Sequence, residues 1–168
     1  MEGKGIPHEA VKKLVAGPTN AEQALSQYAA LCYRLSARNN PKILLVTSRD
    51  TGRWVLPKGW PMPNRTGGEC ALTEAYEEAG VFGRLFDVCL GYYTYNKVLG
   101  PKVEVPCVVA VYPVNVLGLR DDFPEKDQRR RKWFSPQDAA ERVIESELSA
   151  ILGAFDASRL DDPAAMGG

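Results

Sequence analysis

Apolar residues gather into short runs from Tyr28 onward; before that they are scattered. Residues 1–26 mix Gly, Pro and charge with little periodicity, which predicts a loose arm with a short helix near Ala21 to Gln27. From Tyr28 to Leu35 and from Ile43 to Thr47, apolar and β-branched runs flank the polar break Asn39-Asn40-Pro41, predicting two paired strands. After the turn Asp50-Thr51-Gly52, Trp54-Val55-Leu56 reads as a third strand. Pro57 stops it, and the irregular stretch Lys58 to Arg65 follows with Gly59, Pro61 and Pro63.

Thr66-Gly67-Gly68-Glu69 has the pattern of a capping box, in which a hydroxyl and a carboxylate satisfy each other's free backbone amides and start a helix. Gly80 is a natural stop. Between them Ala71, Leu72, Ala75 and Ala79 fall on one side of a helix turning about 100° per residue, the side that packs on a sheet. Val81 to Val98 and Lys102 to Val116 predict strands joined through Leu99-Gly100-Pro101, and Arg130 to Phe134 a last short strand. Ser135-Pro136 then opens a helical region reaching about Phe155, and residues 156–168 read as a frayed tail. The order predicts one α/β (α+β) domain over residues 27–155, a mixed sheet with helices on both faces.

Composition narrows this little. The 168 residues, 45% hydrophobic and 25% charged, suffice for one core. Lys plus Arg number 21 and Asp plus Glu 21, so no charge bias points to nucleic acid or a membrane, and phosphate affinity must come from local clusters. Cys32, Cys70, Cys89 and Cys107 lie far apart without metal spacing and read as free thiols, most of them buried. There is no apolar run of about 18 residues for a membrane span, and Met1-Glu2-Gly3-Lys4 lacks the layout of a signal peptide, so the cytoplasm is the expected location. The one histidine, His8, lies in the polar leader, which excludes histidine-centred catalysis.

The chemistry lies on the helix ending at Gly80. Glu74, Glu77 and Glu78 stand three and four residues apart, on one sector beside the apolar stripe. They form either a solvated acidic face or a set of hard oxygen ligands for Mg²⁺ or Mn²⁺, whose charge relieves their repulsion. Gly59 followed by Glu74-Ala75-Tyr76-Glu77-Glu78-Ala79-Gly80-Val81 resembles the Nudix box, G-x5-E-x7-R-E-U-x-E-E-x-G-U, without a gap. Trp54-Val55-Leu56-Pro57-Lys58-Gly59 is similar to the strand that feeds the box, and Arg131-Lys132-Trp133-Phe134-Ser135 to the family's closing strand. The resemblance covers about residues 28–155.

That resemblance implies a Nudix-type αβα sandwich and a hydrolase of a diphosphate linkage. It implies metal binding by Glu74, Glu77 and Glu78 with the Gly59 carbonyl, one glutamate acting as base, with Glu74 the choice. A further acid from a late loop often helps; Glu125 is the candidate, and Asp121, Asp122 and Asp127 compete. Arg49, Arg53 and Lys58, and Arg129 and Arg131 in the basic run ending at Lys132, either meet substrate phosphates or are ordinary surface charges. Trp54, Tyr92, Tyr93, Tyr95 and Trp133 either stack on a base or fill the core. The substrate implied is a small diphosphate-containing molecule: a nucleoside diphosphate derivative, a dinucleoside polyphosphate or a diphosphoinositol polyphosphate. A monomer or homodimer would serve. Two positions depart from the box: Arg65 replaces its first Glu and Thr73 its Arg. Losing the Arg that orients the carboxylates weakens their support, so the alternative is a binding or regulatory module with reduced turnover.

Overall fold

Strand β1 (Leu25–Leu35) is apolar on both sides because both sides are covered. Ala30 and Cys32 pack into one cluster with Ala71, Ala75 and Ala79, whereas Ala29, Leu31 and Tyr33 pack into another with Ala139, Leu148 and Leu152. The alternation of a strand thus divides the core into two layers with the sheet between. The structure is a computed structural model describing residues 24–161.

Eight strands form one mixed sheet: β1, β2 (Pro41–Thr47), β3 (Trp54–Val55), β4 (Lys58–Gly59), β5 (Val81–Leu85), β6 (Gly91–Gly100), β7 (Val103–Leu119) and β8 (Arg131–Phe134). β1 and β7 run parallel, from Leu25 opposite Cys107 to Tyr33 opposite Asn115. The other pairings are antiparallel: β2 with β1, β3 and β8, β4 with β1, and β5 and β6 with β7. Helix α1 (Gly67–Ala79) covers one face; α2 (Pro136–Arg142) and α3 (Ser146–Gly153) cover the other. The expected sandwich is the observed one.

Some boundaries differ, each for a physical reason. The long run from Val81 is two strands, because β7 exchanges one partner for the other near Pro113, a residue with no N–H to give; Phe86 N and Leu90 N donate across the gap to Pro113 and Val111. The single helix expected after Ser135 is two, since Val143 turns extended at ψ 153° to bury its side chain, and Glu145 starts α3. Within the expected tail, Ala157–Asp161 is a 3₁₀ turn with Ala157 and Leu160 in the core. Of the expected helix near Ala21 to Gln27, the part from Leu25 is strand; residues 1–23 and 162–168 lie outside the described residues. The four cysteines are free, and only Cys89 is partly exposed.

Candidate active site

Helix α1 starts where the sequence says it starts. The Thr66 hydroxyl accepts from Glu69 N at 3.1 Å and Thr66 N donates to the Glu69 carboxylate at 2.9 Å. These bonds to the Thr66 backbone and side chain hold the Glu69 carboxyl below its usual pKa. Gly80 ends the helix in the left-handed region at φ 67°, where a side chain would also strike Phe123, Arg120 O and the Arg131 guanidinium. The buried alanines seat α1 on the sheet, which orients the adjoining flank, with Glu74 and Glu78, toward β4.

β4 completes the arrangement. Gly59 pairs with Tyr28 of β1 and lies flush against Glu74, so that a methyl group added at Gly59 would overlap the Glu74 carboxyl. Next to it, Lys58 N donates to Glu78 Oε2 at 3.2 Å. Glu74 is 2% exposed and Glu78 4%, so neither belongs to a solvated acidic face. Glu77 is half-buried, and its carbonyl accepts from Glu125 N at 3.0 Å, which draws the loop after β7 over the helix end. Glu125 is itself only 6% exposed.

Arg129 links the carboxylates. Its Nη2 lies 3.3 Å from Glu78 Oε1 and 3.1 Å from Glu125 Oε1, Nε donates to Glu125 Oε1 at 3.1 Å, and Nη1 donates to Thr47 O at 3.0 Å. Arg49 stands 3.7 Å from the same Glu125 oxygen. Asp121 and Asp122, which competed with Glu125, are turned outward to Arg131 and Lys126, and Asp127 is exposed.

The donor set fits a divalent cation: two buried carboxylates one helical turn apart, a third brought in by Glu125, and a backbone flush against Glu74. Among the described residues no three ligand-type side chains converge on one point. Glu74, Glu78 and the Gly59 carbonyl would hold such an ion, with Glu77 and Glu125 beside them.

A cleft opens next to this cluster, lined by Arg49, Lys58, Gly59, Glu78 and Arg129 together with Gln27, Trp60 and Lys97, which sequence reasoning passed over. Lys97 shares its face of β6 with Tyr93 and Tyr95, and Trp60 follows Gly59; only the pairing of β4 with β1 brings them together. Lys58 Nζ lies 5.2 Å above the Tyr95 ring and Lys97 Nζ 5.7 Å above Trp60. Burial lowers the Lys58 pKa to about 8, with Arg53 and Lys97 pushing the same way and Glu78 opposing.

Other expected cations are engaged elsewhere. Arg53 pairs with the buried Glu145 at 2.8 Å. Arg131 lies at the C-terminal end of α1, donating to Ala79 O at 2.7 Å and Arg120 O at 2.8 Å, so it does not join the cleft that Arg129 lines. Of the aromatic candidates Tyr93 is core, Trp54 packs on Phe134 and Trp133 lies beneath Arg34.

Comparison with known proteins bears on this geometry. Residues 25–152 match the model of the NUDIX domain. The chain belongs to the Nudix hydrolase family. Human diphosphoinositol polyphosphate phosphohydrolase 3-alpha is 36% identical over 113 residues, 66% of this chain and 64% of that protein, and human 3-beta is 34% identical over the same share. The match thus spans somewhat less than two thirds of those relatives' length. Among solved structures, the Nudix fold of this chain is similar to that of the C. elegans Ap4A hydrolase, with TM-score 0.54 and 20% identity over 77% of this chain and 94% of the other. It also resembles the NUDIX domain of Shewanella oneidensis NrtR complexed with ADP ribose, with TM-score 0.56 and 17% identity over 85% and 95%. No helix among the described residues of this Nudix protein is long and apolar enough to cross a membrane.

Proposed function

We propose that this Nudix chain is a cytoplasmic, Mg²⁺- or Mn²⁺-dependent phosphohydrolase that cleaves the diphosphate linkage of a highly phosphorylated small molecule. The observation that carries the reading is Glu78, buried in the lining of a cleft that Arg49, Lys58 and Lys97 also line. Carboxylates beside cations in one cleft suit a substrate that must be gripped by its phosphates while one anhydride bond is attacked.

A diphosphate repels nucleophiles through its anionic oxygens, and a divalent cation held at the carboxylates supplies the neutralising charge. The chain's own residues do the rest. Lys58 and Lys97 take phosphate oxygens across the cleft from Glu78, and Arg49 holds the outer end of the substrate. Glu74 accepts the proton of the attacking water, with Glu77 and Glu78 fixing the geometry around it. The names of the relatives favour a diphosphoinositol polyphosphate; a dinucleoside polyphosphate presents the same run of phosphates. No nucleic-acid partner is needed, and the site is built within a single chain, as a monomer or as each half of a homodimer.

The competing reading, a Nudix-fold binding module, draws on the replaced box residues Arg65 and Thr73. One experiment separates the two. The purified chain is incubated with Mg²⁺ or Mn²⁺ and a panel of diphosphoinositol polyphosphates, dinucleoside polyphosphates, nucleotide sugars and nucleoside triphosphates, beside Glu78→Gln. Product release lost in the variant establishes the hydrolase and its substrate class. Binding without product release across the panel establishes the module.

A further inference from the structure

Arg129 occupies an unusual place for a surface-loop arginine. Its side chain is 9% exposed, and it is held between two carboxylates that are themselves nearly buried, Glu78 on α1 and Glu125 on the loop after β7. The planar fork is used by three acceptors from three elements, since Thr47 O at the end of β2 takes Nη1. Glu78 is engaged at both oxygens, Oε1 by the guanidinium and Oε2 by the backbone amide of Lys58. That amide is fixed by the pairing of β4 with β1, whereas the guanidinium sits on a flexible stem.

We infer that Arg129 is a positioning residue: it is an internal counter-cation that occupies the Glu78–Glu125 pair when no metal is bound, and a divalent cation takes its place. This rests on the cation-dependent reading above. Two cations cannot share the Glu78 and Glu125 oxygens in a buried site without strong mutual repulsion. A buried carboxylate pair cannot stay apart from any cation without a heavy desolvation cost. An exchange meets both demands, because a dication together with Arg49 balances the formal charge of Glu74, Glu78 and Glu125. Arg129 already lines the cleft beside Arg49 and Lys58, so leaving the carboxylates brings its guanidinium to the substrate phosphates. Metal binding and phosphate binding are thereby coupled through one side chain.

The test is Mn²⁺ binding to the full chain without substrate, followed by the loss of the free-ion electron paramagnetic resonance signal. Arg129→Gln removes the competitor and is expected to bind Mn²⁺ about tenfold tighter than the unaltered protein, with Arg129→Lys between them. Equal or weaker binding by Arg129→Gln overturns the inference, and weaker binding is what a merely structural role produces. A second readout needs no variant: in ¹⁵N-labelled protein the Arg129 Nε–H signal is expected to shift and exchange faster with solvent on saturation with Mg²⁺. A signal unchanged with Mg²⁺ bound overturns the exchange. If the unaltered chain takes up no Mn²⁺ at all, the cation-dependent reading fails and the inference with it, a result distinct from tight binding that Arg129 does not influence.

Discussion

Arg65 donates from its guanidinium to the Thr73 hydroxyl at 2.5 Å, so the two positions at which this chain departs from the Nudix box touch each other. Where the box pattern has an acid and a base, this chain has a base and a hydroxyl, and their contact joins the loop to the helix. Thr73 also donates to Glu69 O, one turn back. Both residues lie toward solvent, so the exchange costs little stability.

Restoring the box pair, Arg65→Glu with Thr73→Arg, is expected to raise kcat by roughly threefold, equivalent to about 0.6 kcal/mol in the barrier. The gain is small because Glu74 and Glu78 already have supports in Gly59 and the Lys58 amide. Steady-state kinetics on the two proteins decide it. A rate that stays level or drops would show that the Arg65–Thr73 contact has fully replaced the original pair.

Gly59→Ala places a methyl group inside the space of the Glu74 carboxyl. The expected outcome is a folded protein destabilised by about 1–3 kcal/mol, the scale of overpacking, with turnover reduced far more than substrate affinity. Thermal melts and a kcat–KM comparison check this. Full activity would mean that Glu74 can move without consequence and is not the base.

Arg53 and Glu145 form a pair in which one oxygen of Glu145 and Nη1 of Arg53 find no hydrogen-bond partner. Glu145→Gln alone is expected to cost about 2 kcal/mol, below the range for fully buried pairs because Arg53 is partly exposed. Arg53→Met with Glu145→Leu is expected to recover most of the loss. Urea unfolding of the single and the double variant tests the pairing, and a double variant that loses more than Glu145→Gln would show that the two charges act independently.

The basic run Arg129 to Lys132 is expected to divide by function. Arg131→Ala loses its bonds to Ala79 O at the end of α1 and to Arg120 O just after β7 and is expected to lower stability by about 1–2 kcal/mol, leaving KM for a polyphosphorylated substrate unchanged. Arg49→Ala, at the mouth of the cleft, is expected to raise that KM with little change in melting temperature. The reverse pattern would place the phosphate grip on β8.

Local signals were legible in the chain. The capping box, the alanine stripe and Gly80 define α1 to the residue, because each acts within a few positions of itself. The spacing of Glu74 and Glu78 followed from that helix. What escaped depended on distant partners. Glu145 reads as mid-helix until Val143 is seen buried, and its pairing with Arg53 joins segments with no sequence relation. Arg129 and Arg131 look equivalent in the run, yet one is directed to Glu125 and the other to the end of α1. Lys97 and Trp60 offered only weak hints: a cation at strand spacing from aromatics, and an aromatic directly after Gly59.

The parallel pairing of β1 with β7 joins Leu25 to Cys107 and Tyr33 to Asn115. On a ribosome releasing the chain from its N-terminus, the strand that divides the two core layers therefore waits for most of the domain to be made. Helix α1, with local caps at both ends, can form in the meantime, while Glu125 and Arg129 emerge later still. Closure over such a separation is entropically costly and slows folding. The acidic helix is thus the early part of this Nudix domain, and the residue that neutralises it is among the last to arrive.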